Sequence, residues 1–341
     1  MYKGALLFSP GPFGGAEKLI LDSILGLQLE VLIIQEARNP EPSSFLIKEL
    51  EKKSIKYRLF TSTKRYDQEL IHQLNQYIHK EKLQFVHSHG LKANFINSFL
   101  KTRRIATQHG QTSHSLKLKL MEVIENYRLK KMHKLILVSE AMYKTTKHPN
   151  KVLIENFIPT SSGKLLDYNR ETPFKIIYAG RLSPEKGIEF LLENIAIPKN
   201  VELHLYGEGV LSDYVKSKTC SNIIFHGFSS NIQDKLVDKQ LLIIPSQTEG
   251  LPMIALEAIS LGLPILATKV GGLPKLLEEE IFLMNYNNAK ELNDKIKYII
   301  DNYHDVQSKT HKISSIVNQK YSKEKWLSSV KSLYESVSKS F

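Results

Sequence analysis

The first half of the chain alternates short apolar runs with stretches in which apolar residues recur three and four positions apart. The apolar runs have the length of buried strands, and the periodic stretches have the spacing of amphipathic helices. The strand-like runs are residues 4–9, 29–36, 85–90, 104–110 and 134–140, and the helical stretches are residues 16–27 and 44–55. Alternating strands and helices predict a parallel sheet with helices on both faces.

The same pattern begins again after Glu171. Strand-like runs occupy residues 174–180, 201–207, 222–227, 241–245 and 263–268, and helices are predicted near residues 186–196 and 252–261. Residues 152–173 separate the two series and are rich in Pro, Ser, Thr and Asn, which is typical of an interdomain linker. We therefore predict an α/β protein with two Rossmann-like domains and a ligand cleft between them, since open parallel sheets bind ligands at the carboxyl ends of their strands.

The predicted domain boundaries follow from this linker and from the end of the chain. The first domain covers residues 1–160, the second covers residues 161–320, and residues 321–341 form a C-terminal helix that crosses back to the first domain. A length of 341 residues suits two cores of ordinary size. The apolar residues of the last segment, spaced as on one face of a helix, are Trp326, Val330, Leu333 and Val337.

Composition is that of a folded protein without a membrane-spanning segment. Hydrophobic residues make up 42% of the chain and charged residues 24%, and no apolar run approaches the roughly 18 residues that a spanning helix needs. The first residues lack the pattern of a signal peptide. Cys220 is the single cysteine, as expected in a reducing compartment. These features predict a cytoplasmic location.

The positive charge of the chain is concentrated in its first half. Residues 1–160 contain 25 Lys and Arg against 14 Asp and Glu, a net charge of +11, whereas residues 161–341 contain 22 against 21. Such an asymmetry predicts an anionic partner, which could be nucleic acid, an acidic membrane surface or a phosphorylated substrate. A solvated basic face without a partner is the alternative.

Two cations follow the first strand of the second half. Arg181 comes just after the strand and Lys186 stands at the entry to the next helix, with Gly180 and Gly187 allowing tight backbone paths. Arg can bind a phosphate through two parallel hydrogen bonds, Lys adds a point charge, and free amides at a helix start complete an anion site. A pair with this spacing is common on surfaces, but its position after a buried strand favours a diphosphate site.

Two glutamates, Glu249 and Glu257, stand eight residues apart after a later buried strand. Pro252 suits the first turn of the helix between them, because its missing N–H costs nothing there. The amides of Met253 and Ile254 would then be free to face an anion. Two carboxylates could also act as the acid and base of a hydrolase.

These segments resemble the retaining glycosyltransferases of family 4, which have the GT-B fold and are also described as glycosyl transferases group 1. The segment E-G-L-P-M-I-A-L-E resembles the E-x7-E motif of that family, and A-G-R-L-S-P-E-K-G resembles its G-R-L-x-x-E-K-G segment. The segments L-Y-G-E-G, I-I-F-H-G-F and A-T-K-V-G-G-L-P-K-L-L follow in the order of the family. The resemblance is nearly continuous from Tyr178 to Leu277.

The resemblance implies a role for each matching residue. Arg181 and Lys186 would hold the nucleoside diphosphate, Glu249 would contact hydroxyls of the donor sugar, and Glu257 would accept hydrogen bonds from the ribose. The small residues and amides implied to approach the donor closely are those of Gly207, Gly250, Met253 and Ile254.

In the first half the resemblance is sparser. G-P-F-G-G-A-E-K resembles the Gly-Gly loop that opens the first helix of the family, so Gly14 and Gly15 would approach the donor phosphate with Glu17 close by. By the match of A-T-Q-H-G, His109 would act at the cleft, near the donor sugar and the acceptor. With Arg181, Lys186 and Glu249, it completes the implied catalytic set.

We expect no metal site. The histidines that could be taken as metal ligands are His87, His89, His109 and His114, but no carboxylate or cysteine joins them in a zinc pattern. The chain also lacks a convincing D-x-D motif, since Asp301 and Asp305 lie in a late helical region. We therefore predict a metal-independent enzyme whose substrate is a UDP- or GDP-linked sugar and which needs no other cofactor.

The acceptor is expected to be a glycan or a lipid-linked glycan of a cell-surface polysaccharide or lipopolysaccharide. Residues 115–134 combine six basic residues with a helical apolar stripe, which would either lie on an anionic membrane at the inner face of the cell membrane or pack into the core. Two other functions remain open, a sugar-nucleotide epimerase or hydrolase of similar architecture and a basic nucleic-acid-binding protein. The second lacks a nucleic-acid-binding motif, so we expect no nucleic-acid partner.

Overall fold

The computed structural model describes residues 2–10, 15–64, 67–108, 123, 127–158 and 173–339. For residues 15–20, Pro42, Phe45 and Ala141 it describes the backbone alone. The chain divides into two compact units, of which the first comprises Met1–Phe157 and Lys323–Phe341 and the second Ile158–Ser322. The predicted boundaries stand at residues 160 and 320, close to these divisions.

The first unit is built on a seven-stranded parallel sheet with the strand order β3-β2-β1-β4-β5-β6-β7. Its order reverses between β1 and β4, as in a doubly wound Rossmann sheet. The strands are β1 Gly4–Phe8, β2 Glu30–Glu36, β3 Tyr57–Ser62, β4 Phe85–His89, β5 Arg103–Gln108, β6 Lys134–Leu137 and β7 Lys151–Leu153. The described helices before the second unit are α1 Gly15–Leu27, α2 Glu41–Lys52, α3 Gln68–Glu81, α4 Leu91–Asn97 and α5 Glu140–Thr145.

The second unit contains a six-stranded parallel sheet with the order β10-β9-β8-β11-β12-β13. Its strands are β8 Phe174–Ala179, β9 Val201–Tyr206, β10 Ile223–Gly227, β11 Leu241–Ile244, β12 Ile265–Thr268 and β13 Leu283–Met284. Its α-helices are α6 Ile188–Asn194, α7 Ser212–Ser217, α8 Gln233–Leu236, α9 Met253–Leu261, α10 Leu273–Leu277, α11 Ala289–Asp301 and α12 Tyr303–Lys320. All four residues of β11 and of β12 are buried, because helices cover both faces of a parallel sheet.

The last helix, α13 Lys323–Lys339, belongs to the first unit. Its four predicted apolar positions are buried, together with Tyr334. The hydroxyl oxygen of Tyr334 lies 2.6 Å from Nδ1 of His87 on β4, and its ring packs against Phe85 at a centroid distance of 4.6 Å. The predicted crossover of the chain back to its first domain is confirmed.

Part of the predicted linker is regular structure. Residues 151–153 form strand β7, which pairs with β6, so the linker prediction was wrong where residues 152–173 begin. Residues 159–172 lie outside the described part of the chain. No helix among the described residues is long and apolar enough to cross a membrane.

Candidate active site

Arg181 stands in the turn that follows β8. Its carbonyl accepts a hydrogen bond of 2.9 Å from the hydroxyl of Tyr178, a buried residue of the strand. Burial raises the pKa of that hydroxyl, and the carboxylates of Glu249 and Glu185 raise it further, so the phenol stays protonated and remains a donor. The side chain of Arg181 is exposed. Tyr178 therefore holds the backbone of the turn and leaves the guanidinium in solvent.

Lys186 is the last residue of a short 3-10 helix, Pro184–Lys186, that precedes α6. Gly187 follows with a φ of +70°, and a Cβ atom there would lie 1.9 Å from the carbonyl oxygen of Pro245. A side chain at this position would therefore displace the backbone that follows β11. Strands β8 and β11 are neighbours in the sheet. The loops that follow them pack so closely that only glycine fits at position 187.

Glu249 lies in the loop between β11 and α9 and is turned toward Lys186. Its Oε1 is 2.7 Å from the ammonium of Lys186, and the hydroxyl of Ser246 donates to the same oxygen at 2.7 Å. The two charged side chains are 19% and 8% exposed, for Lys186 and Glu249 respectively. The carbonyl of Ser246 in turn accepts a hydrogen bond from Oγ1 of Thr268 at the end of β12. The segments after β8 and β11 and the end of β12 thus hold this carboxylate in place.

Helix α9 begins directly after Pro252, which has an extended ψ of 131° and provides no side-chain cap. The amides of Ala255 and Leu256 donate to the carbonyl of Pro252. Among the described residues, no acceptor is bonded to the amides of Met253 and Ile254. Pro252 was predicted inside the first turn and instead precedes it by one residue. The predicted pair of free amides at this helix start is present in the described structure.

The other two predicted donor contacts of this segment differ in exposure. Gly250 is exposed, and a Cβ atom built on it would meet nothing within 4 Å. Its carbonyl accepts a hydrogen bond of 2.6 Å from the amide of Gly272. Glu257 is 5% exposed in the middle of α9. The structure thus places Gly250 on the surface and Glu257 in the interior of the second unit.

Gly207 is held by the turns after two neighbouring strands. Its φ is +144°, and a Cβ atom would lie 1.8 Å from the carbonyl oxygen of Gly180. Its amide donates to the carbonyl of Gly227 at 2.9 Å. The loops that follow β8, β9 and β10 therefore meet backbone to backbone, and no other residue type fits at this position.

Sequence reasoning missed several residues around this site. Ser246 fixes Glu249, and its position three residues before that glutamate was a signal that could have been used. Glu185 accepts a 2.6 Å hydrogen bond from Ser183. Burial alone would raise its pKa, but this bond, its own amide and the nearby charges of Arg181 and Lys186 lower the pKa below its usual range.

Several residues predicted to be functional in the first unit lie outside the described part of the chain. They are Gly14, His109, His114 and most of residues 115–134, of which only residue 123 and those from 127 onward are described. Gly15 begins helix α1, and the side chain of Glu17 is not described.

His87 is a structural residue. Its Nδ1 contacts the hydroxyl of Tyr334 at 2.6 Å, and its Nε2 lies 2.7 Å from Oγ1 of Thr107. Both ring nitrogens are therefore occupied by protein partners. The ring of His89 packs beside it at a centroid distance of 4.3 Å. Within the described ranges, no three His, Cys, Asp or Glu side chains are grouped as metal ligands would be.

Two units that are each built on a parallel Rossmann-like sheet make up the GT-B fold of glycosyltransferases. Residues 167–316 match the family model described as glycosyl transferases group 1. The matched residues cover most of the second unit.

The chain is similar in sequence to several proteins named as glycosyltransferases. It is 25% identical over 279 residues to the uncharacterized glycosyltransferase MJ1178 of Methanocaldococcus jannaschii, covering 76% of this chain and 78% of the relative. It is 27% identical over 289 residues to the UDP-Gal:alpha-D-GlcNAc-diphosphoundecaprenol alpha-1,3-galactosyltransferase of Escherichia coli, covering 72% and 73%. With the E. coli O-antigen biosynthesis glycosyltransferase WbnH it shares 28% identity over 189 residues, 55% of this chain and 53% of the relative.

Solved structures share the fold at lower identity. The structure of Anabaena Alr3699/HepE in complex with UDP superposes with a TM-score of 0.80 at 20% identity, covering 98% of this chain and 100% of the other. TarM superposes with a TM-score of 0.75 at 14% identity, covering 98% and 99%. Identities this low establish the fold of the chain alone.

Proposed function

We propose that the chain is a retaining glycosyltransferase that works without a metal ion. Its donor is a nucleoside-diphosphate sugar, and its acceptor is a glycan or lipid-linked glycan in the synthesis of a surface polysaccharide or lipopolysaccharide. The observation that carries this proposal is the pairing of Lys186 with Glu249, 2.7 Å apart, in the loops after two adjacent strands. The ammonium of Lys186 can bind a diphosphate, and the carboxylate of Glu249 can accept hydrogen bonds from sugar hydroxyls. The pair is therefore proposed to lie where the diphosphate of the donor joins its sugar.

The diphosphate is bound by cations and amides in this proposal. Arg181 is exposed beside the end of β8, and Lys186 stands a few residues further on. The amides of Met253 and Ile254 lie at a helix start without a side-chain cap. Helix starts and fixed cations together stabilise phosphate groups. In the donor complex, the Lys186 ammonium would be shared between the diphosphate and the Glu249 carboxylate. HepE crystallised with UDP, which makes UDP-linked sugars the first donors to test.

The chemistry assigned to these residues is charge stabilisation and positioning. As the nucleoside diphosphate leaves, negative charge grows on its β-phosphate and positive charge on the anomeric carbon. Lys186 and Arg181 stabilise the first of these charges in place of a metal ion. The acceptor hydroxyl then attacks the anomeric carbon on the face from which the diphosphate leaves, and its proton passes to the departing phosphate oxygen. This sequence retains the anomeric configuration.

Glu249 serves as a hydroxyl acceptor rather than a covalent nucleophile in this mechanism. Lys186 and Ser246 both bind Oε1, so the carboxylate has a fixed orientation and its Oε2 is the atom assigned to the donor sugar. A fixed carboxylate that binds hydroxyls positions the donor for reaction. His109 is assigned to the sugar and acceptor, Glu257 to the ribose, and Gly14, Gly15, Gly207 and Gly250 to close approach by the donor.

The acceptor is assigned from the charge of the chain and from the names of its relatives. Residues 1–160 carry a net charge of +11, which suits a phosphorylated or lipid-linked acceptor and contact with an anionic membrane at the inner face of the cell membrane. The E. coli galactosyltransferase is named for a diphosphoundecaprenol-linked acceptor.

Product analysis tests this proposal. The purified chain is first screened by thermal shift against UDP, GDP and ADP and their sugar conjugates. It is then incubated with the stabilising donor, with and without diphosphoprenyl-linked GlcNAc, and the anomeric configuration of the product is read by NMR. We expect an α-linked product from an α-linked donor, and only when the acceptor is present. Conversion of the donor without an acceptor would instead identify a sugar-nucleotide epimerase or hydrolase, and an inverted product would refute retention.

A further inference from the structure

A cavity of about 600 Å³ lies inside the first unit, on residues that the proposed chemistry does not use. It is half open to solvent and is lined by the end of β5, by β6 and by the segments on either side of β6, and its volume falls in the range of small-molecule sites. The described residues that line it are Gln108, Val123, Tyr127, Leu129, Lys130, Leu135, Met142, Thr145, Thr146, Lys147 and His148.

The inner wall of the cavity is apolar. Leu129 and Leu135 are buried in a small hydrophobic cluster, and Met142 packs against the same cluster from α5. Toward the solvent side, Val123 and Tyr127 are each 65% exposed. Large apolar side chains left in water beside a cavity mark a binding site more often than isolated exposed residues do.

The remaining charges of the cavity are all positive. Lys130 and Lys147 are exposed lining residues, and the described lining contains no carboxylate. Neither ammonium pairs with an Asp or Glu among the described residues. Lys130 instead lies 5.9 Å from the ring centroid of Tyr127. An anion at the rim would thus meet two available cations without displacing an internal partner.

His148 adds a buried donor to this lining. It is 7% exposed, and its Nδ1 accepts a hydrogen bond of 3.1 Å from the amide of Asn150, which assigns the proton of the neutral ring to Nε2. Nε2 is buried and meets no acceptor at hydrogen-bonding geometry. Burial lowers the pKa of His148, while the nearby carbonyls of Leu129 and Met132 oppose this effect. His148 is therefore a buried lining residue whose ring lies near the carbonyls of Leu129 and Met132.

We propose that this cavity binds the lipid end of the acceptor, with the first part of an apolar chain against Leu129, Leu135 and Met142 and its phosphate at Lys130 and Lys147. The assignment rests on the proposed transfer to a lipid-linked acceptor. Among the described lining residues, an apolar wall lies beside two lysines and no carboxylate, which matches a hydrocarbon chain that ends in a phosphate or diphosphate. Neither a free sugar nor a nucleic acid combines these two properties.

Binding of short lipid phosphates to the full chain tests the assignment apart from transfer. Farnesyl diphosphate is titrated by calorimetry into the chain saturated with the stabilising nucleoside diphosphate, which occupies the proposed donor site. Farnesol and inorganic diphosphate, the two halves of its structure, are titrated in the same way. We expect farnesyl diphosphate to bind at least about tenfold more tightly than either half. Inorganic diphosphate that binds as tightly as farnesyl diphosphate would overturn the proposal, since the apolar wall would then contribute nothing.

Variants locate the binding to the cavity. Lys147→Glu should weaken farnesyl diphosphate binding about tenfold or more, whereas Lys144→Glu, a matched change at an exposed lysine of α5 outside the lining, should have little effect. Met142→Trp should block binding by filling the cavity, and Thr145→Trp provides the same block at an exposed position if Met142→Trp fails to fold. Equal losses from Lys144→Glu and Lys147→Glu would overturn the proposal, because the surface would then act as a general basic patch.

The thermal shift by the nucleoside diphosphate separates this proposal from the proposed function. Variants of the cavity should retain the full shift, which shows that the second unit is intact. A chain that transfers sugar to a water-soluble glycan but binds no farnesyl diphosphate would refute the lipid site and leave the transferase assignment standing. A chain that binds farnesyl diphosphate through Lys147 but uses no sugar nucleotide would support the cavity and refute the proposed function.

Discussion

The ammonium of Lys186 and the carboxylate of Glu249 lie 2.7 Å apart although they stand 63 positions apart in the chain. Each comes from a loop at the carboxyl end of one of two adjacent strands, β8 and β11. Both side chains are largely enclosed, so removal of one partner leaves the other charge without compensation. The pair is therefore both a structural link between two loops and the centre of the candidate donor site.

Replacing either partner should abolish most transfer, for different reasons. Lys186→Met removes a cation that would stabilise the leaving diphosphate, and we expect a loss of about 10²-fold or more in kcat. It should also reduce the thermal shift produced by the nucleoside diphosphate. Glu249→Gln should lose a similar factor in transfer but keep the nucleotide shift, since it removes a negative charge near the phosphate.

Lys175→Met is the matched control for these two variants. Lys175 also forms an ion pair in the second unit, at 3.3 Å from Asp238, but it lies near the start of β8 rather than at its carboxyl end. We expect transfer close to that of the unchanged chain. Near-normal transfer by Lys186→Met or Glu249→Gln would refute the site assignment.

Ser246 is predicted to position Glu249 and not to bind the donor. Its hydroxyl donates to the same oxygen that Lys186 contacts, and hydrogen bonds to charged groups contribute roughly 1.5–3 kcal/mol. Ser246→Ala should therefore lower kcat by about tenfold or more while the KM for the donor changes little. Steady-state kinetics measure both quantities.

A serine elsewhere in the same unit controls for loss of a hydroxyl. Ser260 donates to the carbonyl of Glu257 within α9, and Ser260→Ala should leave kcat nearly unchanged. If Ser246→Ala raised the KM of the donor without lowering kcat, the residue would act on donor binding and the positioning role would be wrong.

Removal of divalent ions should leave transfer active. The cations Arg181 and Lys186 and the amides at the start of α9 are proposed to stabilise the leaving group, so no step of the mechanism is assigned to a metal ion. Transfer measured after dialysis against EDTA is expected to stay close to its initial rate. Complete loss of activity that manganese restores would contradict this expectation.

Asp67 should make the stability of the first unit depend on pH in the acid range. Its carboxylate caps α3 by accepting hydrogen bonds from the amides of Leu70 and Thr63, at 3.1 and 2.9 Å. Burial alone would raise its pKa, but these bonds outweigh burial and lower the pKa. The carboxylate thus contributes stability above its unfolded pKa of about 3.9, and this contribution is lost as the pH falls through the lowered folded value.

Asp67→Ala should reduce the free energy of unfolding by about 0.5–2 kcal/mol at pH 7, and the difference from the unchanged chain should shrink below about pH 4. Urea unfolding followed by the fluorescence of Trp326 measures it, because the single tryptophan lies in the same unit as Asp67. Asp67→Ser retains a capping oxygen and should lose less at pH 7. A difference that stays constant down to pH 2 would contradict the role of the charge.

The sequence located five strands of each unit, where apolar runs are continuous. It did not predict β3 and α3 in the first unit or β13 and α7 in the second. Strand β3 lies at the edge of the sheet and has three exposed residues among its six, so its apolar run is broken. Helix α3 is rich in Gln, His and Asn, and its buried positions are Leu70, Leu74, Tyr77 and Ile78.

The contact between Lys186 and Glu249 could not be predicted from their spacing. It depends on β8 lying beside β11, with β9 and β10 on the other side of β8, and a parallel sheet can order its strands in several ways. The motifs indicated which residues to assign to the donor site. The strand order decided which of them touch.

The return of α13 to the first unit has a consequence for biosynthesis. Tyr334, the partner of His87, stands 247 positions after it, and Ile158–Ser322 intervene as a complete unit of their own. A ribosome therefore adds every residue of the second unit before it adds the last helix of the first. The nascent chain would carry a first sheet with an uncovered Phe85 and His87 until that helix has emerged, and a chain terminated before Lys323 would keep that defect permanently.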